Sequence, residues 1–288
     1  MDRAKVVACV IALSAASCAR RPAIFVGSKN FTEQVLLGEI MAQQIERRLH
    51  VPVGRSLNLG GTLLAHEALV KGDIDLYPEY TGTALTAVLK QPLEANGPAV
   101  LEKVRSGYAR RWRLTWLAPL GFNNTFAMMV RGETARSGNL SALSQAAAAH
   151  AWRMGIGYEF RQRPDGLDGL LRVYGMRTAG DPVTMDLGLL YQALESRKVD
   201  MIAANSTDGL VSVLDIAILA DDRHYFPPYD CAVVVRDDSL ARFPELREVL
   251  EQLSGKLPDR VMRQLNYRVD GAHEQPSQVA TRFLAVTP

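Results

Sequence analysis

Short apolar runs alternate with stretches of helical periodicity along most of the chain. Ile24-Phe25-Val26 has the composition of a strand. Phe31, Val35, Leu36, Ile40, Met41, Ile45 and Leu49 then recur at the spacing of one face of a long helix. Asn30, with Glu33 three residues on, reads as its N-cap and a variant of the capping box. Residues 51–57 read as a second strand, Gly60-Gly61 opens a helix to about Lys71, and residues 74–77 form a third strand. This β-α-β-α-β order predicts a parallel sheet with helices on its faces.

A second unit of the same kind follows. Residues 126–130 read as a strand, Asn139 caps an alanine-rich helix running to His150, and residues 152–156 are again a strand. Helices are expected at 166–174 and 186–196, and a buried strand at 201–203. After Pro227-Pro228 a further strand spans 231–235, followed by helices near 244–253, 258–267 and 275–284. Neither an internal repeat nor a long Gly/Ser/Pro linker divides the chain. The expected architecture is α/β, with two lobes joined by short crossings near 119–124 and 225–229.

The first residues change what the composition means. Asp2, Arg3 and Lys5 precede the apolar run 6–13, and the small residues Ser14-Ala15-Ala16-Ser17-Cys18 follow. A basic start, a short apolar run and a small-residue exit describe an export signal over 1–18. The run is too short to cross a bilayer, which takes about 20 apolar residues. Cys18 resembles the cysteine of a bacterial lipobox, where it would carry a lipid, although Ala15 stands where an aliphatic residue is usual. An exported protein at the membrane surface, in the periplasm or cell envelope, is expected.

The chain has 288 residues and 33 bases against 31 acids, and without 1–18 the balance is 31 to 30. That is no footprint for nucleic acid. Cys9 and Cys18 fall in the signal, so Cys231 is left without an intramolecular disulfide partner, and its apolar run marks it as a buried, inert thiol.

Enzyme motifs are missing. His66-Glu67 begins like a zincin helix, but Val70 stands where the second histidine belongs. Neither a nucleophile elbow nor a P-loop occurs, and the five histidines have no ligand spacing. No catalytic residue, metal or cofactor is expected. Polar loops instead follow the strands, where open α/β sheets place ligands: Ser28-Lys29-Asn30, the run Tyr77 to Thr83, the run Phe160 to Gly166, and Asn205 to Gly209. Each alone is an ordinary solvated loop or cap; four on strand exits point to a cleft.

Gly27-Ser28-Lys29-Asn30-Phe31-Thr32-Glu33-Gln34 resembles the opening signature of the substrate-binding proteins of osmoprotectant ABC transporters, the glycine betaine/carnitine/choline-binding family. Asp75-Leu76-Tyr77-Pro78-Glu79-Tyr80-Thr81-Gly82-Thr83, Pro119-Leu120-Gly121-Phe122-Asn123-Asn124-Thr125, Arg163-Pro164-Asp165-Gly166, Ser206-Thr207-Asp208 and Pro227-Pro228-Tyr229 match it in the same order. The resemblance implies a type II periplasmic-binding-protein fold, whose two lobes close on a ligand delivered to a membrane permease; the first lobe, 23–120 plus 226–288, is completed by the C-terminal segment, and the second is 121–225. ATP hydrolysis would belong to a partner subunit, and the protein itself would be a monomer.

A quaternary ammonium has no hydrogen to donate and is recognised by aromatic faces. The resemblance assigns that role to Tyr80 and Tyr229, with Phe126 where the family usually has Tyr. It assigns a ligand carboxylate to Lys29, Thr83 and Arg163, the last as a bidentate donor. Asn205 departs from the pattern, since betaine binders typically present another Tyr there. Three alternatives follow: a different small amine or amino-acid-like ligand, a receptor outside transport, or an exported enzyme.

Overall fold

The chain was analysed as a computed structural model that describes residues 23–287. The expected signal and Cys18 lie outside the described residues. Ten strands form two five-stranded sheets among them. The first sheet contains β1 (Ile24–Gly27), β2 (Val53–Ser56), β3 (Leu76–Tyr80), β4 (Leu114–Asn123) and β10 (Asp230–Arg236), in the order β2-β1-β3-β10-β4. The second contains β5 (Phe126–Arg131), β6 (Met154–Ile156), β7 (Val183–Thr184), β8 (Met201–Asn205) and β9 (Ile216–Ile218), in the order β7-β6-β8-β5-β9. The chain passes from one sheet to the other between β4 and β5, and returns between β9 and β10.

The expected parallel sheet is present only in part. β1 runs parallel to β2 and β3, but β10 is antiparallel to both β3 and β4. The reason is topological: β10 starts where the chain comes back from the second sheet, so it runs opposite to strands that end there. The ten-residue β4 was not expected as a strand. Pro119 and Gly121 interrupt its pattern, and its ladder to β10 shifts register there. Gly121 has a φ of 116°, and a Cβ on it would meet the backbone of Gly255 at 3.0 Å.

Two helix starts also differ from expectation. The helix Thr32–Leu49 is preceded by Phe31, not Asn30, and has no side-chain cap. Glu33 turns inward instead of closing a capping box. Asn139 lies in the left-handed region at φ 48°, and the alanine-rich helix begins later, at Leu143–Ala149. There Gln145 Oε1 accepts the N–H groups of Ser141 and Ala142.

Apolar side chains cover both faces of each sheet. The Thr32–Leu49 helix and the C-terminal helices bury Leu36, Ile40, Leu265 and Phe283 on one face of the first sheet, and Tyr108 and Trp116 belong to the core on the other. Phe126 at the start of β5 and Phe226 on the return crossing pack against a core of each lobe. Cys231 is fully buried and its thiol is pushed well above its usual pKa, as expected for an inert core residue. His66 is a core histidine between Tyr108 and Trp112, and burial lowers its pKa to about 4. None of the described helices is long and apolar enough to cross a membrane.

Candidate ligand-binding cleft

Strand ends and helix starts from both sheets meet around a cavity of about 1030 Å³. Lys29, Tyr80, Thr83, Phe126, Arg163, Asn205 and Tyr229, the seven residues singled out from the sequence, all line it. β1 pairs with β3 only at Val26 and Leu76, so the end of β3 has no neighbour on that side, and its polar residues meet the loop that follows β1.

Both cations of the cleft are already paired. Lys29, 2% exposed, donates from Nζ to Glu79 Oε1 at 2.6 Å and to Thr62 Oγ1 at 3.2 Å, and lies 4.8 Å from the Tyr80 ring centroid. Glu79 is fully buried and also accepts from the Tyr77 hydroxyl and the Tyr80 N–H. Arg163 directs Nε and Nη2 at the two carboxylate oxygens of buried Asp165, the first at 2.9 Å. Its Nη1 donates to Thr83 Oγ1 at 2.8 Å. Burial works against the charge of both partners, but each holds the other ionised: the Arg163 pKa is raised and the Asp165 pKa lowered. The bidentate fork expected to face a ligand carboxylate is therefore occupied by Asp165 in this structure.

Two of the three aromatic groups, Phe126 and Tyr229, converge on the same guanidinium. Its carbon lies 5.0 Å from the Phe126 centroid and 5.7 Å from that of Tyr229. The two rings meet edge to face at 5.8 Å, and the Tyr229 hydroxyl donates to Asp165 Oδ2 at 2.6 Å. Tyr80 stands beside Phe31, which also lines the cavity.

Several functional groups were missed from sequence. Glu33 accepts from Tyr80 Oη, Asn124 Nδ2, Thr207 Oγ1 and Asn266 Nδ2, at 2.5 to 2.9 Å. These donors come from the end of β3, the crossing after β4, the turn after β8 and a C-terminal helix. Burial nonetheless raises the Glu33 pKa, outweighing the four hydrogen bonds. Glu159, from the second lobe, accepts from the N–H and hydroxyl of Thr62 at the start of the Thr62–Lys71 helix. Burial opposes its charge, but Lys29, Arg163 and the Thr62 bonds lower its pKa. Tyr191 is buried on the Leu187–Glu195 helix. In the fold it lines the cavity, and its hydroxyl donates to Asp208 Oδ2 at 2.8 Å, the same oxygen that accepts the Asn205 N–H at 3.2 Å.

Among the described residues no cluster of histidine, cysteine and carboxylates has metal-binding geometry. Two lobes around a cleft of buried ion pairs and aromatic rings define a solute-binding protein. The family described as the substrate binding domain of ABC-type glycine betaine transport systems matches residues 22–286, and the chain belongs to it. It is a binding protein of a quaternary-amine ABC importer and not an enzyme.

Three relatives illustrate the range of likeness. The ergothioneine transport permease/ergothioneine binding protein of Helicobacter pylori is 34% identical over 91% of this chain, which spans 47% of that protein's length. The glycine-betaine-binding protein of Pseudomonas aeruginosa is 33% identical, over 94% of this chain and 90% of that one. The crystal structure of a glycine betaine/carnitine/choline ABC transporter superposes with a TM-score of 0.77 at 31% identity, covering 91% of this chain and 97% of that one.

Proposed function

We propose that the chain captures a small quaternary-amine zwitterion of the glycine betaine, choline or carnitine type in this cleft and presents it to a permease. The observation that carries this reading is the convergence of Tyr80, Phe126 and Tyr229 on a cleft whose two cations are each neutralised by a buried carboxylate. Glu33, Glu159, Asp208 and Asp270 add negative charge to the lining. Such a site favours a cation without N–H groups, each desolvated aromatic contact contributing about 0.5–2 kcal/mol. Lys29, Thr83 and Arg163 are assigned to the ligand's carboxylate, Arg163 through the N–H groups that Asp165 and Thr83 leave free.

In this reading the lobes are 23–120 plus 226–288 and 121–225, and closure is a hinge motion about the two crossings. The ligand stabilises the closed form because it touches both lobes. The protein acts as an exported monomer with residues 1–18 as its signal and Cys18 as its lipid anchor. It serves a membrane permease whose ATPase subunit hydrolyses ATP. Thermal melts with glycine betaine, choline and carnitine test the assignment: at least one raises the melting temperature in a concentration-dependent way. A melting temperature unmoved by millimolar amounts of all three refutes it.

A further inference from the structure

The Thr62–Lys71 helix has nothing of its own to finish its N-terminus. Gly61 stands at the N-cap with no side chain to accept an N–H, and the first turn carries no acidic residue. The first N–H groups of a helix have no partner within it, and its positive end favours a carboxylate. The Gly97–Trp112 helix of the same lobe shows the ordinary solution, with Asn96 Oδ1 accepting the Ala99 N–H at 2.9 Å.

At Thr62 the acceptor comes from the other lobe. Glu159 lies in the first turn of the Tyr158–Gln162 helix, after β6. Its Oε1 accepts the Thr62 N–H, and its Oε2 accepts the Thr62 hydroxyl at 3.1 Å. The same hydroxyl oxygen accepts from Lys29 Nζ at 3.2 Å, and Arg163 Nη1 lies 3.8 Å from Glu159 Oε2. The approach depends on glycine, since a Cβ at Gly61 would stand 2.7 Å from Glu159 Oε1. Gly61 has an ordinary φ of −77°, so its backbone does not itself require glycine. What the missing side chain leaves room for is the carboxylate.

We propose that Glu159 is a latch on the cleft, capping the Thr62–Lys71 helix across the two lobes through the gap kept at Gly61. Closure gives the helix the cap that its own sequence omits. Opening returns both the helix end and the carboxylate to water. Glu159 is thus a positioning residue, which acts on the ligand through the population of the closed form. This rests on the reading that the lobes close by a hinge motion, and not on the identity of the ligand.

Gly61→Ser tests the latch, because a serine there caps the helix from its own lobe while its Cβ crowds Glu159 out. The measurements are the ligand-free melting temperature, the ligand-free radius of gyration by small-angle scattering, and the affinity for glycine betaine by calorimetry. The melting temperature should hold or rise, whereas the radius of gyration grows and the affinity falls about threefold to thirtyfold, the worth of one cap. Glu159→Ala should open the cleft as well. The double variant should bind no more weakly than Glu159→Ala alone, since both changes remove one contact. A merely structural role would lower affinity only in step with melting temperature. That result, additive losses in the double variant, or a radius and affinity unmoved by Gly61→Ser would each overturn the latch. If glycine betaine does not bind the unaltered protein, the failure belongs to the ligand assignment and the radius of gyration decides alone: expansion in Gly61→Ser supports the latch, and no change overturns it.

Discussion

Removing the Asp165 carboxylate isolates Arg163. The Arg163 side chain is 7% exposed and Asp165 fully buried, so neither can turn to water without opening the cleft. At an effective dielectric of about 20, unit charges roughly 4 Å apart attract by ~4 kcal/mol. Measured losses on breaking one side of such a buried pair are about 3–5 kcal/mol. Asp165→Ala also orphans the Tyr229 hydroxyl. The expected loss is therefore about 3–5 kcal/mol in urea unfolding. For a domain of this size that lowers the melting temperature by roughly 6–20 °C. The double variant Arg163→Met/Asp165→Ala removes the charge along with its partner and should recover most of the loss, because apolar replacement of a whole buried pair is often neutral. If the single variant costs under ~1 kcal/mol, or the double variant is the less stable of the two, the buried-pair reasoning is wrong.

Two further predictions follow from the cleft. The Asp208 pKa is about 7 in the fold against an ordinary 3.8, so between those values the folded state keeps a proton that the unfolded chain releases. Stability then falls as pH rises through that window, by at most about 1.4 kcal/mol per pH unit. The stability of Asp208→Asn relative to the unaltered protein should accordingly increase from pH 4 to pH 7, and a flat difference would contradict the shift. A Cβ at Gly82 would meet the Pro228 carbonyl at 2.7 Å and the Tyr229 ring at 2.8 Å. Gly82→Ala should therefore cost about 1–3 kcal/mol in thermal unfolding and weaken quaternary-amine binding by displacing Tyr229; unchanged affinity would remove Tyr229 from the site.

The strands β1, β5 and β10 and the helices after β1 and β2 could be read from apolar spacing because each buries one continuous face. β4 could not, since the proline and glycine that bend it look like loop residues. Lys29, Tyr80, Thr83, Arg163 and Asn205 were singled out in loops that follow strands, and Phe126 and Tyr229 through the family resemblance. The carboxylates they meet were not. Asp165 and Glu33 have the spacing of turn and helix caps, and only three-dimensional packing shows that one faces Arg163 and the other Tyr80, Asn124, Thr207 and Asn266. Nor could sequence foresee that Tyr191, buried with Leu190 and Leu194, would also reach the cavity.

Glu33 has a consequence for the order of events during folding. Its four donors lie 47, 91, 174 and 233 residues further along the chain. Until those segments have come together, a hydrated carboxylate is better off in water than half-enclosed. Each missing partner leaves the Thr32–Leu49 helix with a charged residue on the face it must bury. The first lobe is thereby discouraged from setting prematurely around its own N-terminal half, and closure of that seam waits for the helix that brings Asn266. Burying Glu33 thus requires that segments as far apart as Tyr80 and Asn266 have already come together.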